Sequence, residues 1–236
     1  MSLEQQVTAL VASANALTGA VNGKIAQIDQ KTQENTAKVD SELSKIQTKL
    51  PRIVITKNQV LSINPDTGLP AGMSIHERVT TTLYMTINNW DVKSAENMQL
   101  LQQMEQDMGV DLRKTAHYRR EFNIFKMKWD NHIGWVAFPL AADDFNATSI
   151  PVNTFITLGA FVKVLSGGVK FAWAEGSQIG KWVFCNSKLV PSGFGSYLNL
   201  HPITTTESGE LLVALPAAIT GHIDDGGQWF PNVGLN

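Results

Sequence analysis

The chain has 236 residues, of which 43% are hydrophobic and 17% are charged, and its formal net charge is −2. Its length is enough for one good-sized globular domain, or for a small domain with an accessory segment. The near-neutral charge gives no electrostatic reason to expect nucleic acid or an anionic membrane as a partner. No run approaches the roughly 18 consecutive apolar residues of a membrane-spanning helix, so we expect no membrane partner.

The cysteine content and the first residues bear on where the protein assembles. The one cysteine, Cys185, excludes an internal disulfide framework and favours assembly in a reducing compartment. The start of the chain, MSLEQQVTALV, has no cationic region followed by an unbroken apolar core, so it predicts no secretory signal. We therefore expect assembly in a cytoplasm.

Aromatic residues are unevenly distributed along the chain. Residues 1–50 contain no aromatic residue and no proline, whereas all 6 Trp, 10 Phe and 3 Tyr lie after residue 83. Aromatic side chains supply large buried areas, so a segment without them is unlikely to build a core alone. We therefore predict a coiled-coil shaft over residues 1–50, a mixed strand and helix connecting region over 51–115, and a β-rich head domain over 116–236.

The first 50 residues have the apolar spacing of a coiled coil. Apolar or small residues recur mostly in alternating steps of four and three. Thr32 and Thr36 continue the row, with Asn35 beside them. The predicted oligomerisation seam consists of Leu3, Val7, Leu10, Leu17, Val21, Ile25, Ile28, Thr32, Thr36, Val39, Leu43, Ile46 and Leu50.

The seam alone leaves the number of chains open. In its first half, Val7 and Val21 occupy a-type positions with leucines at d, which favours two strands. In its second half, leucines fall at a with Val39 and Ile46 at d, which favours three or four strands. One extra-residue step in each half locally relaxes the left-handed supercoil. The threonines either fix register and chain number at a cost in stability, or mark a stretch where the rod loosens.

The segment LEQQVTALVASANALTGAVNGKIAQIDQKTQENTAKVDSEL resembles the N-terminal shafts of bacteriophage tail-fibre and related virion-fibre proteins. The resemblance extends over residues 3–50 and is both compositional and periodic. It implies a parallel homotrimer in a virion, with a coiled coil leading into a β-rich head. It carries no catalytic motif and transfers no binding residue to the head.

Strand and helix patterns follow the shaft. RIVITKNQVLSI and RVTTTLYMTI are rich in β-branched residues and predict strands. SAENMQLLQQMEQDMG predicts a short amphipathic helix, with Ser94 as its N-cap and Gly109 at its stop. The methionines of this helix lie on one side with its leucines, which is more typical of core than of an adaptable binding groove.

From about residue 116 the pattern is that of strands. REFNIFKMKW alternates, and TFITLGAFVKVL with VKFAWA predicts a hairpin across Ser166-Gly167-Gly168 that places Val169, Phe171 and Trp173 on one face. KWVFCN, SYLNL and ELLVAL add three short strands. The predicted fold class is α+β: an N-terminal coiled-coil helix, then a mainly antiparallel β head, sandwich or barrel-like, with one short amphipathic helix.

The sequence contains few candidates for chemistry. No two of the five histidines have the spacing of a zinc site, and no P-loop, G-x-S-x-G or G-x-G-x-x-G motif is present, so we expect no catalytic residue, cofactor or metal. In GHIDDGGQWF, Asp224 and Asp225 precede Trp229 on a glycine-rich loop. The carboxylates could bind Ca²⁺ or sugar hydroxyls with Trp229 as a stacking platform. The alternative is a tight loop in which Asp favours turn geometry.

These observations favour a homotrimeric phage fibre whose head recognises a host-surface ligand, such as a glycan, without catalysis. The alternative is a structural virion component, such as an adaptor, collar or decoration fibre, that binds other virion proteins. Exposed aromatic residues would favour the first function, and a large apolar docking patch the second. An enzyme such as a glycan depolymerase is the least favoured, because no motif supports it.

Overall fold

The structure of the protein is a computed structural model. It describes residues 2–49, 52–87, 94–112, 121–141, 149–193, 197–199, 201–230 and 233–234. The chain divides into two compact units, Met1–Gln47 and Thr48–Asn236. The predicted α+β class is confirmed: a long N-terminal helix and one short helix accompany mainly antiparallel sheets.

The helices and strands follow one another in this order: α1 Leu3–Lys49, β1 Ile53–Val54, β2 Met73–Ile75, β3 Val79–Ile87, α2 Ala95–Met108, β4 Phe122–Trp129, β5 Ala137–Pro139, β6 Ser149–Pro151, β7 Ile156–Ser166, β8 Val169–Lys170, β9 Trp182–Leu189, β10 Tyr197–Asn199, β11 Ile203–Thr204, β12 Gly209–Thr220 and β13 Val233–Gly234. Two short 3₁₀ helices, Ala172–Ala174 and Gly226–Gln228, lie in loops.

The long helix α1 forms the first unit by itself. Its 47 residues continue through Gly19, Gly23 and the polar KTQENTA stretch without a break. At the rise of an α-helix this gives a rod about 70 Å long. Of the helices in the described part of the chain, none is both long and apolar enough to cross a membrane.

The short helix α2 begins and ends where local sequence signals predict. The Ser94 side chain accepts a hydrogen bond from the Asn97 N–H at 3.1 Å, which is an N-cap bond. Gly109 adopts the left-handed conformation with φ 67° and donates its N–H to the Glu105 carbonyl. Leu100, Leu101 and Met104 are buried, which confirms that the apolar side of this helix belongs to the core.

A seven-stranded sheet organises the second unit, and β12 is at its centre. One side of β12 pairs with β7 along most of its length, and β7 in turn pairs with β9. The other side pairs first with β4, from Gly209 to Ala214, and then with β1, at Ile219. β3 extends the sheet beyond β4, and β13 lies parallel to β1. β6 with β10, β8 with β11 and β2 with β5 form two-stranded sheets.

The strand β12 changes partner at Leu215 and Pro216. The register with β7 shifts between Ala214 and Ala217, and Leu215 has a positive φ of 55°. Proline has no N–H for a ladder hydrogen bond, so it suits a bulge and not a regular central position. The bulge therefore lets one strand leave β4 and continue beside β1.

Both faces of the main sheet are buried. Along β12, Leu211 and Val213 belong to one hydrophobic cluster, and Leu212 and Ala214 belong to the other. The first cluster packs under the loop regions that carry Trp173, while α2 helps to cover the second. Burial on both faces explains why apolar residues in ELLVAL follow one another without alternating polar residues.

Residues 51–115 and 116–236, which we predicted as separate regions, share this sheet. β1 and β3 come from the first region, and they pair with β12 and β4 from the second. The contacts accordingly place everything from Thr48 onward in a single unit. Pairing between strands that are far apart in the sequence produces this arrangement. The residue pattern of a strand does not show which other strand it pairs with.

Two of the predicted strand assignments are wrong. Strand β8 does not form a hairpin with β7, because it pairs with β11 through Lys170 with Ile203 and Val169 with Thr204. In RIVITKNQVLSI, only Ile53–Val54 form a strand. The later part of that segment turns, with positive φ at Asn58 and Leu61. The Cys185 side chain is fully buried, and burial raises the pKa of its thiol to about 12.

The start of β12 provides a test of sheet packing. A Cβ atom at Gly209 would lie 2.2 Å from Cζ2 of Trp129 and 2.6 Å from the Ser166 carbonyl oxygen. We expect Gly209→Ala to lower the free energy of unfolding by about 1–3 kcal/mol, because the overpacked ring must move. Gly193→Ala is the control, since no described atom outside its chain neighbours lies within 4 Å of a Cβ at that position. Equal denaturation midpoints for the two variants would contradict this packing.

Candidate functional site

The apolar stripe of α1 is open to solvent along the whole helix. Its large aliphatic side chains are between 49% exposed at Val21 and 77% exposed at Leu3. The described members of the predicted seam lie in this one helix, and Leu50 lies outside the described residues. From residue 3 to residue 50 the stripe averages about 3.6 residues per step, so it runs nearly straight along an undistorted helix.

The polar part of the stripe satisfies some of its own hydrogen bonds. The Thr36 hydroxyl donates to the Thr32 carbonyl at 2.9 Å, and Thr8 and Thr18 make the same bond four residues back. A threonine bonded in this way can enter an interface without leaving its hydroxyl donor unpaired. Beside the stripe, Glu42 and Lys45 form an ion pair at 2.7 Å.

The predicted stacking residue Trp229 is a core residue. Its side chain is fully buried, and its indole N–H donates to the Leu215 carbonyl at 2.8 Å. Its ring lies 5.1 Å from the ring of Phe184 and closes over Gly159, where a Cβ would approach it to 3.1 Å. The prediction that Trp229 stacks on a sugar is therefore wrong, because no ligand reaches its ring.

The Asp225 carboxylate is occupied by its own loop. It accepts hydrogen bonds from the Gly227 N–H at 2.8 Å and from the Gln228 side-chain amide at 3.2 Å. Arg52 in turn donates to the Gln228 side-chain oxygen at 2.6 Å and to its carbonyl at 3.3 Å. These bonds fit the alternative interpretation of this segment, a tight loop in which Asp favours turn geometry.

Asp224 lies at a shallow polar groove. Its side chain is 70% exposed and forms an ion pair with Lys188. The groove has a volume of about 310 Å³, and its other charged side chains are Asp107, Asp225 and Lys181. Asp107 accepts a hydrogen bond from the Trp182 backbone N–H at 3.0 Å. Within the described ranges, no group of three His, Cys, Asp or Glu side chains is placed to hold a metal ion.

The structure also brings together an aromatic cluster of His76, His132, Trp135, Phe138 and His201. The rings of His76 and His132 stack with their centroids 4.0 Å apart, and the His76 ring meets that of Trp135 at 4.8 Å. His201 lies 6.2 Å from Trp135 and 6.1 Å from Phe138. Sequence analysis missed this cluster because its members come from three distant segments with no shared spacing.

The hydrogen bonds of the cluster indicate a neutral His76. The Nδ1 atom of His76 accepts the Arg78 backbone N–H at 3.1 Å, so Nδ1 carries no proton. Nε2 of His132 lies 3.0 Å from the Trp135 carbonyl, which can only accept, so this nitrogen donates. Burial, then the charge of His132, lowers the pKa of His76, and burial also lowers the pKa of His201.

Beside this cluster lies a row of side chains that we call the aromatic face: Trp135, Ile203, Lys170 and Phe171. Trp135 is paired with Ile203 and Ile203 with Lys170, so all three side chains lie on the same face of a small sheet. The neighbouring pair, Val169 and Thr204, is buried. Phe171 is 48% exposed, and the Lys170 amine lies 4.7 Å from its ring centroid.

Sequence comparison adds no relative to this description. No model of a known protein family matches the chain, and no curated protein matches it at a significant level.

The stacked histidines predict an acid-sensitive fold. An unfolded histidine titrates near pH 6.5, and the pKa of His76 is lowered on folding. As the pH falls below about 6.5, the unfolded chain binds the proton first, so the free energy of unfolding decreases until the folded-state pKa is passed. We expect thermal midpoints to fall from about pH 6.5 to pH 5, and to fall less steeply for His76→Gln. Equal slopes for both proteins would show that the pair does not contribute.

Proposed function

We propose that the protein is a homotrimeric fibre of a bacteriophage virion, assembled in the host cytoplasm, whose β head recognises a host-surface ligand without catalysis. The observation that carries this proposal is the open apolar stripe on α1, next in the chain to a unit that has its own core. The resemblance of residues 3–50 to fibre shafts supplies the virion context. A glycan is the class of ligand that we favour.

Self-association follows from the energetics of α1. An isolated helix gains little stability in water from its own hydrogen bonds, and most helices depend on packing of an apolar face. The described residues of α1 leave that face open at every turn from Leu3 to Ile46. Identical chains offer an identical stripe, so parallel association buries it along the whole rod. The seam leaves the number of chains open, and the resemblance of residues 3–50 to fibre shafts favours three.

A trimeric arrangement suits recognition of a surface. Three heads joined through one rod turn three weak contacts into one strong attachment, because the second and third contacts form at high effective concentration. The aromatic face offers the half-exposed Phe171 ring, the partly buried Trp135 ring and a cation at the surface, which are groups suited to polar ligands with apolar faces.

A second candidate function is a structural role in the same particle, and one feature favours it. Among the described strands, β3 pairs only with β4; the Asn97 side chain of α2 donates to the Thr86 carbonyl near the end of β3, and the rest of its outer edge has no described strand partner. Leu83 is 43% exposed and Tyr84 is 48% exposed on this strand. An open edge with exposed apolar side chains can pair with a strand of another virion protein.

Oligomerisation is tested with charged substitutions in the stripe. We expect about three chains by light scattering, and loss of association for Val39→Asp/Ile46→Asp, because each carboxylate would be buried without a partner. The control is Ser41→Asp/Ser44→Asp, which adds the same charge away from the stripe. A monomeric wild-type protein, or equal weakening by both variants, would refute self-association through α1.

Recognition is tested by binding to cells of a susceptible host. The purified protein should bind these cells and compete with the particle for attachment, whereas Val39→Asp/Ile46→Asp should bind far more weakly because it has lost multivalency. If the protein binds no cells but binds another virion protein tightly, the structural role replaces recognition.

A further inference from the structure

The backbone at Phe171 is in a conformation that side chains normally avoid. Phe171 has φ 71° and ψ 166°, a region that is populated almost only by glycine. The next residue, Ala172, is also left-handed, with φ 49°. Two adjacent non-glycine residues in such conformations persist only where the surrounding structure holds them.

Neighbouring groups hold this turn in place. The Phe171 N–H donates to the Glu175 carboxylate at 2.9 Å, and the Ser187 hydroxyl donates to the Ala172 carbonyl at 3.0 Å. Trp173 is buried and donates its indole N–H to the Ala137 carbonyl at 3.1 Å. These contacts are made by the backbone of Phe171 and by its neighbours, so glycine at position 171 could keep all of them.

The phenyl ring is therefore not explained by packing. Phe171 is 48% exposed, although a glycine would relieve the strain at its position. The strained turn presents this ring beside Lys170, whose amine forms no ion pair among the described residues. Of the carboxylates in the described part of the chain, the one that bonds this turn is Glu175, which already accepts the Phe171 N–H. The aromatic face therefore places the exposed Phe171 ring beside the positively charged amine of Lys170.

The rest of the aromatic face extends this pair. Lys170, Ile203 and Trp135 are successive cross-strand neighbours, so the row from Lys170 to Trp135 spans two strand spacings, about 10 Å. The partly buried Trp135 ring lies near one end of the row and the exposed Phe171 ring near the other, and the row is long enough for two linked sugar rings. Sugar rings have apolar faces that pack on aromatic rings, and a carboxylate on the sugar would complement the Lys170 amine.

We propose that the aromatic face binds an acidic saccharide, with sugar rings against Phe171 and Trp135 and a sugar carboxylate on Lys170. This inference rests on the proposed recognition function and names its site and ligand class. The strain at Phe171 is retained because the exposed ring serves binding, so stability and binding oppose each other at this one position.

The test uses the full chain and three variants. Binding is measured by calorimetry with a panel of uronate- and sialate-containing oligosaccharides and with neutral oligosaccharides of the same lengths. We expect Phe171→Gly to raise the thermal midpoint while weakening acidic-saccharide binding by about tenfold or more. Lys170→Gln should keep the midpoint but lose the preference for acidic over neutral saccharides. Tyr84→Ala removes an equally exposed ring elsewhere in the head, at 48%, and should leave binding unchanged.

The outcomes separate this inference from the proposed function. If Phe171→Gly lowers the midpoint, the ring is structural and the inference is wrong. Equal binding of neutral and acidic saccharides, or no binding of either, also overturns it. If the wild-type protein still attaches to host cells in that case, recognition stands and uses another surface. If it attaches to no cells and to no saccharide, both proposals fall.

Discussion

The change of partner within β12 is the constraint on which the β unit depends. One strand must pair with β4 over its first half and with β1 over its second, while β7 follows it on the other side. Pro216 prevents a continuous ladder, and Leu215 takes a left-handed conformation to make the turn. The Leu215 carbonyl that this bulge frees accepts the Trp229 indole N–H. The bulge therefore lies where β12 leaves β4 and begins to pair with β1, and it also binds the loop that carries Trp229.

Two other buried tryptophans of the unit also donate their indole N–H to the backbone carbonyl of a distant residue. Trp129 donates to the Thr206 carbonyl at 2.9 Å and Trp173 donates to the Ala137 carbonyl at 3.1 Å. Each ring fills the core while its N–H holds a distant segment, which combines apolar burial with a specific hydrogen bond. Among the described residues, no group accepts a hydrogen bond from the buried indole N–H of Trp182.

The sequence predicts elements whose causes are local. The ends of α2 follow from Ser94 and Gly109, and the length of α1 follows from helical spacing without proline. Pairings between distant residues could not be predicted in this way, because alternation indicates a strand and not its partner. The β7–β8 hairpin was wrong for this reason: β11, more than thirty residues further along the chain, takes the place beside β8.

The candidate site shows the same division. The prediction of a tight loop accounts for Asp225, whose carboxylate accepts hydrogen bonds from Gly227 and Gln228, two and three residues further along the chain. The exposure of a ring, however, depends on the whole fold. Trp229, the expected stacking residue, is buried, and Phe171, expected on one face with Val169 and Trp173, is half exposed while those two are buried. No local property of GGQWF or VKFAWA distinguishes the two rings.

The state of Cys185 determines how the folded protein responds to an oxidant. It is the one cysteine of the chain, its side chain is fully buried, and the pKa of its thiol is raised to about 12. A thiol in that state is neither a nucleophile nor accessible to an oxidant, so copies of the folded protein cannot cross-link through it. The folded protein therefore keeps this residue unchanged in both reducing and oxidising surroundings.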